Sequence, residues 1–184
     1  MKVVPTELPG AFLIEPARHD DERGAFVRHW CRRTLARHGL DCDWRQGGTA
    51  LNRTAGTVRG LHFQAAPHAE TKLVRCVRGG ASDVIVDLRP DSPRFGRWFS
   101  VTLSPEDGRA LFVPAGMAHG YQTLADETEM TYAISADHAP DSARGVRWDD
   151  PALAIPWPLP VSVISARDRA LPTLDELTDL SVAC

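Results

Sequence analysis

Fourteen glycines and fourteen prolines, scattered through 184 residues, cut this chain into runs too short for most helices. Proline fixes φ and removes a backbone donor, and glycine takes the positive φ of turns, so clusters of the two end the element before them. Between the clusters lie extended runs, predicted as strands over residues 12–14, 24–30, 57–63, 71–77, 82–88, 98–103, 110–113, 121–124 and 129–134. Over residues 82–88, Val84, Val86 and Leu88 oppose Asp83 and Asp87, with Ile85 the apolar exception. Arg89-Pro90-Asp91-Ser92-Pro93 and Pro114-Ala115-Gly116 are typical of the intervening turns. One helix is expected over residues 31–38, stopped by Gly39. The proline-rich chain from Pro151 onward is expected to wrap the outside and end in a short helix or tail. Many short strands and few helices predict an all-β fold, an antiparallel sandwich or barrel, with a jelly roll the best fit. The alternative, an immunoglobulin-like sandwich, lacks its Cys…Trp…Cys framework here. With no repeat, low-complexity linker or second domain in view, residues 1–184 are expected to form a single domain.

Bulk properties narrow the function. A hydrophobic content of 43% and a charged content of 24% are those of an ordinary globular protein. A formal net charge of -3 argues against non-specific nucleic-acid binding, which needs a strongly basic face. The apolar runs are too short to span a bilayer as helices, and the first residues lack an apolar signal region, so no membrane association is expected. Cys31, Cys42, Cys76 and Cys184 form no CxxC pair and read as unpaired thiols, which places the expected location in the cytoplasm.

Residues 56–64, Gly-Thr-Val-Arg-Gly-Leu-His-Phe-Gln, hold the densest chemistry. Alternation puts Val58, Gly60, His62 and Gln64 on one face and Arg59, Leu61 and Phe63 on the other. An inward His62 is a candidate general base or a core histidine held by a backbone carbonyl. Arg59 and His62 can serve one site only if a bulge or strong twist near Gly60 re-aims the chain. Tyr132 shares a face with Met130 and Ile134, so it points inward, as a proton donor or as a core residue with a satisfied hydroxyl. Lys72 opens an apolar strand and either reaches a cavity mouth or stays solvated. Asp168 reads as a cap or loop aspartate unless it folds back onto a histidine and fixes its tautomer. Two histidines one residue apart would suggest a metal, but Gln64 stands two after His62 and His119 has no near histidine, so no metal is expected.

Taken together, the segments resemble the dTDP-4-dehydrorhamnose 3,5-epimerase family over nearly the whole chain. The matching stretches are Asp21-Glu22-Arg23-Gly24-Ala25-Phe26, residues 56–64, Lys72-Leu73-Val74-Arg75-Cys76-Val77-Arg78-Gly79 and Asp83-Val84-Ile85-Val86-Asp87-Leu88-Arg89. Pro114-Ala115-Gly116-Met117-Ala118-His119-Gly120, Tyr132, Asp149-Asp150-Pro151, Pro156-Trp157-Pro158 and Ser165-Ala166-Arg167-Asp168 complete the set. The resemblance implies a cupin-like double-stranded β-helix (jelly roll) with a few short peripheral helices. It further implies a homodimer without metal or cofactor, acting on a nucleotide-linked 4-keto-6-deoxyhexose at C3, C5 or both. By position it makes His62 the base, Asp168 its partner, Lys72 the stabiliser of an enolate oxygen and Tyr132 the acid on the opposite face. Arg59 resembles a diphosphate-binding residue and His119 an active-site residue near the sugar. Arg23, Phe26, Gln46 and Asn52 match nucleotide-binding positions, partly across the dimer interface. Epimerisation beside a ketone needs a base, an opposed acid and an electrophile, and no redox cofactor.

The chain departs from the family pattern at Arg28, where many members have glutamate, and at Gly48 and Ala50, where they have asparagine and serine. These positions concern the nucleotide base, so thymidine, cytidine, guanosine and uridine diphosphates all remain open at this point. A metal-dependent cupin enzyme is the rival class.

Overall fold

Successive strands switch between two facing sheets, and that alternation builds the molecule. The structure, a computed structural model, describes residues 1–40 and 43–177. In chain order the strands are β1 (Lys2–Pro5), β2 (Phe12–Glu15), β3 (Ala17–Asp21), β4 (Gly24–Arg28), β5 (Gln46–Asn52), β6 (Val58–Gln64) and β7 (Lys72–Arg78). They continue with β8 (Ala81–Asp87), β9 (Trp98–Leu103), β10 (Ala110–Val113), β11 (Met117–Thr123), β12 (Thr128–Ile134) and β13 (Ala143–Gly145). Among the described residues two α-helices, α1 (Arg32–Ala36) and α2 (Ala166–Arg169), lie outside the sheets. One sheet has six strands in the order β1-β2-β10-β7-β12-β5, and the other has five in the order β13-β6-β11-β8-β9. From β6 to β13 the chain passes repeatedly from one sheet to the other, which is the all-β, cupin-like jelly roll expected of the sequence.

Three apolar layers hold the sheets. Val74, Leu111 and Met130 of the six-stranded sheet meet Ile85, Met117 and Tyr121 of the five-stranded one. Behind the five-stranded sheet, Leu61, Val84, Val86 and Leu88 pack under Val146, Leu153 and Trp157 from the C-terminal part of the chain. Behind the six-stranded sheet, Leu73 and Phe112 pack under Leu35 of α1. Strand β8 is therefore covered on both faces, which is why Ile85 breaks its alternation, and Asp83 and Asp87 are wholly buried. Buried carboxylates need donors. Asp87 receives Arg89 Nε at 2.8 Å, Arg89 Nη2 at 2.6 Å and the Ser92 hydroxyl at 2.6 Å, which anchors the turn after β8. Asp87→Ala would leave those donors facing a void and is expected to cost about 3 kcal/mol, measurable as a lowered urea midpoint.

The helix predicted over 31–38 forms as α1, with Cys31 as N-cap and Gly39 at φ 74°. Four strands escaped the pattern. β3 is built of Ala17, Arg18, His19, Asp20 and Asp21, and pairs only with β4 as a separate hairpin. β5 contains Gly47 and Gly48 and owes its extension to a seven-residue register with β12. β1 and β13 are short strands paired to β2 and β6 respectively. β11 starts four residues before the predicted 121, because Ala118, His119 and Gly120 pair with β8 as well. The segment from Pro151 does more than wrap the outside: Val163 bridges Thr57 in parallel, and α2 lies against β6. The expected terminal tail after residue 177 lies outside the described residues, as do Cys42 and Cys184, while Cys31 and Cys76 are free thiols.

Candidate active site

Between the two sheets opens a cavity of about 650 Å³, walled by β6 and β11 on one side and β5, β7 and β12 on the other. Its shape depends on an irregularity in β6. His62 stands opposite His119, but Arg59 stands opposite Tyr121, so three steps along β6 match two along β11. That extra residue is a bulge, and it turns Arg59 onto the cavity wall beside His62 where strict alternation would point it away. Only glycine fits there: Gly60 has φ 113°, and a Cβ on it would lie 2.6 Å from the Gly120 Cα.

His62 is half-buried, and its Nε2 lies 2.8 Å from Asp168 Oδ1. Asp168 sits in the first turn of α2, where its own N–H donates to the Ser165 hydroxyl oxygen at 3.0 Å. Its Oδ2 accepts the Gly60 N–H at 3.1 Å, so the bulge and the dyad are tied together. With Nε2–H given to the carboxylate, the other ring nitrogen of His62 holds a lone pair, the tautomer a base requires. Burial pushes the Asp168 carboxyl up, but the His62 hydrogen bond and charge, with the Gly60 and Ser165 bonds, outweigh it and hold the pKa below the usual range. A depressed folded pKa means stability that is present above the unfolded value and is lost as pH falls through the folded one. Asp168→Asn is therefore expected to unfold at lower urea than the wild type at neutral pH. The two midpoints should converge in acid, below the ordinary carboxylate range.

Lys72 is almost wholly buried, with its ammonium 3.2 Å from the His62 carbonyl oxygen and 2.9 Å from Glu70 Oε1. Tyr132, on the opposite sheet from His62, lines the same cavity, and the His119 ring stands edge-on to it at a centroid distance of 6.0 Å. His119 Nε2 lies 2.9 Å from Asp83 Oδ1, a second histidine–aspartate contact and a fully buried one. Burial pushes the Tyr132 phenol well above its ordinary range, with Tyr121 and Asp83 adding to the shift, so Tyr132 holds its proton at neutral pH. Gln46 also borders the cavity, its amide donating to the Ala136 carbonyl at 2.7 Å.

Three expected site residues are placed elsewhere. Asn52 lies behind the wall: its Oδ1 takes Arg59 Nε at 2.7 Å and the Tyr121 hydroxyl at 3.2 Å, so it acts on the cavity through others. Arg23 and Phe26 belong to the β3–β4 hairpin and do not border this chain's cavity. Arg23 is paired with Asp21 at 2.6 Å, and Phe26 is 61% exposed. The sequence reading passed over Glu70, Tyr121, His138, Arg144 and Arg167, which all line the cavity, and Asp83 behind His119. Tyr121 had a legible signal, two residues after His119 on the same strand face, and Asp83 stood out as a carboxylate in the alternation of β8; Glu70, His138, Arg144 and Arg167 sit in segments without periodicity. Among the described residues no three histidine, cysteine, aspartate or glutamate side chains converge as a metal-ligand group.

The family model described as dTDP-4-dehydrorhamnose 3,5-epimerase matches residues 5–176. The chain belongs to that family. Among its relatives is the dTDP-4-dehydrorhamnose 3,5-epimerase of Sinorhizobium fredii, 45% identical over 170 residues, covering 90% of this chain and 85% of the relative. The corresponding Escherichia coli enzyme is 37% identical, with 99% of each chain covered. A crystal structure of the Bacillus anthracis epimerase, with TDP and PPi bound, superposes with a TM-score of 0.91 at 41% identity, covering 94% of this chain and 98% of that one. The Legionella pneumophila epimerase, in complex with dTDP-4-keto-L-rhamnose, gives 0.90 at 32% identity, covering 96% and 94%. The chain is thus an isomerase of the epimerase family, and the cupin-like fold is the one its relatives share. No helix among the described residues is long and apolar enough to cross a membrane.

Proposed function

We propose that this protein epimerises a dTDP-linked 4-keto-6-deoxyhexose at C3 and C5, as a step in deoxysugar biosynthesis. One observation carries the reading: His62, backed by Asp168, and the protonated phenol of Tyr132 line one cavity from opposite sheets. A carbon beside a ketone is acidic enough to lose a proton to an imidazole, provided the enolate oxygen meets a cation. His62 removes the proton, and the electron pair moves through the carbonyl to an enolate oxygen held by the Lys72 ammonium. The enolate then collapses, taking a proton from the Tyr132 hydroxyl on the opposite face, and the centre is inverted. Solvent reprotonates the phenolate and takes the proton from the imidazolium. Arg59 on the same wall suits the diphosphate, and His119 and Gln46 suit the sugar and the nucleotide.

Conversion of dTDP-4-keto-6-deoxyglucose, followed by proton NMR, tests the reading, with UDP-, GDP- and CDP-linked analogues as comparisons. Turnover restricted to the dTDP-linked sugar is expected; an inert dTDP sugar would refute the substrate assignment. Arg23 and Phe26 are assigned to the site of a second copy, because the β3–β4 hairpin pairs only with itself and carries an exposed phenylalanine away from its own cavity. A homodimer is thus part of the proposal, together with a cytoplasmic location and a single catalytic domain. Mixing an Arg23→Ala chain with a His62→Ala chain should restore activity that neither has alone. Absence of rescue in subunits shown to exchange would remove the hairpin from the site.

A further inference from the structure

Only two tyrosines occur in the chain, and both line the cavity. Tyr121 stands on β11 and Tyr132 on β12, in opposite sheets, with the His119 ring 6.3 Å from the first and 6.0 Å from the second. The hydroxyl of Tyr121, in a residue only 1% exposed, donates to Asn52 Oδ1 at 3.2 Å. Asn52 spends its amide hydrogens on the Ala50 and Thr128 carbonyls at 3.2 and 3.0 Å, so its oxygen must face Tyr121 and Arg59. The Tyr121 oxygen keeps lone pairs that can accept, and Tyr132 packs against the same core layer that holds Tyr121, where burial keeps its phenol protonated. Directly across on β5, Gly48 stands opposite Tyr132 and Ala50 opposite Met130, so no polar side chain at those two positions competes.

We propose that Tyr121 is a positioning residue for the acid: pinned as a donor to Asn52, its hydroxyl oxygen accepts from the Tyr132 phenol and holds that proton until the enolate takes it. This rests on Tyr132 being the acid of the proposed epimerisation. It also gives Arg59 a second part, since its Nε shares the Asn52 oxygen that orients Tyr121. The ionisable groups that share the cavity with the two phenols are Arg59 and His62 on β6, Lys72 on β7 with Glu70 before it, His119 on β11 with Asp83 of β8 behind it, His138, Arg144 on β13, and Arg167 and Asp168 on α2.

Tyr121→Phe keeps the ring and removes the hydroxyl, and two readouts decide. In D₂O, exchange with retention reports His62 alone, whereas inversion reports delivery from Tyr132. Tyr121→Phe should retain exchange while inversion falls about tenfold, less than the roughly 10²–10⁴-fold attached to a whole acid. The alkaline limb of the inversion rate should also move to lower pH. Unchanged inversion with an unmoved limb would overturn the proposal. The second readout needs no substrate: tyrosinate ultraviolet absorbance in the wild type, Tyr121→Phe and Tyr132→Phe. Two phenols in contact titrate as a coupled pair, so the wild-type curve should not equal the sum of the two single-variant curves. An additive wild-type curve would overturn the contact itself. A wild type that neither exchanges nor inverts would sink the epimerase reading, with the absorbance titration still deciding on the phenol pair.

Discussion

His62→Ala is expected to lower epimerisation by about 10²–10⁴-fold, the usual contribution of one positioned base, with solvent exchange at the sugar carbons falling in parallel. Both losses have one cause, since exchange and inversion share the same proton abstraction. Binding of dTDP should survive, because Arg59 and Gln46 reach the cavity from β6 and β5 independently of the imidazole. Asp168→Asn should fall less, since it keeps the imidazole and removes the carboxylate that sets its tautomer at 2.8 Å. Rates from single-turnover NMR, with dTDP affinity from calorimetry, separate this from general unfolding. Wild-type exchange in His62→Ala would mean that another group is the base.

Tyr132→Phe is expected to split what His62→Ala removes together. Proton abstraction by His62 and stabilisation of the enolate by Lys72 stay in place, so deuterium should still enter with retention. Inversion, which needs delivery from the other sheet, should fall by about 10²-fold or more. The ring packs beside Met130 in the layer between the sheets, and phenylalanine preserves that packing, so thermal stability should change little. The ratio of exchanged to inverted sugar, measured by NMR on one sample, reads the split directly. Equal loss of both would place Tyr132 in binding or structure rather than in the second proton transfer.

Much of the strand pattern was legible because glycine and proline punctuation and β-branched runs are local signals. Strands β9 and β10 match their predicted limits, since β9 is an alternating run and β10 an apolar one, each closed off by turns. β5 was hidden because Gly47 and Gly48 have poor strand propensity, and its form comes from pairing with β12, a contact no local window contains. At the site, alternation placed Tyr132 inward and left the direction of His62 open, and it separated Arg59 from His62. The bulge that joins them depends on Gly60 and Gly120 passing almost in contact, a long-range fact of packing. The contact of Asp168 with His62 spans 106 positions and was available only through resemblance, because the tail that carries Asp168 has no periodicity. Asn52 was placed with the nucleotide by resemblance, whereas here it sits behind the wall and sets Arg59 and Tyr121.

Deuterium placement in the product reads the central claim most directly. Wild-type protein turning over a dTDP-linked 4-keto-6-deoxyhexose in D₂O should yield inverted sugar carrying deuterium at both C3 and C5, and His62→Ala should yield neither. A product that is inverted yet free of deuterium at those carbons would contradict the account, because protons would then not pass through solvent-exchanging side chains on facing walls.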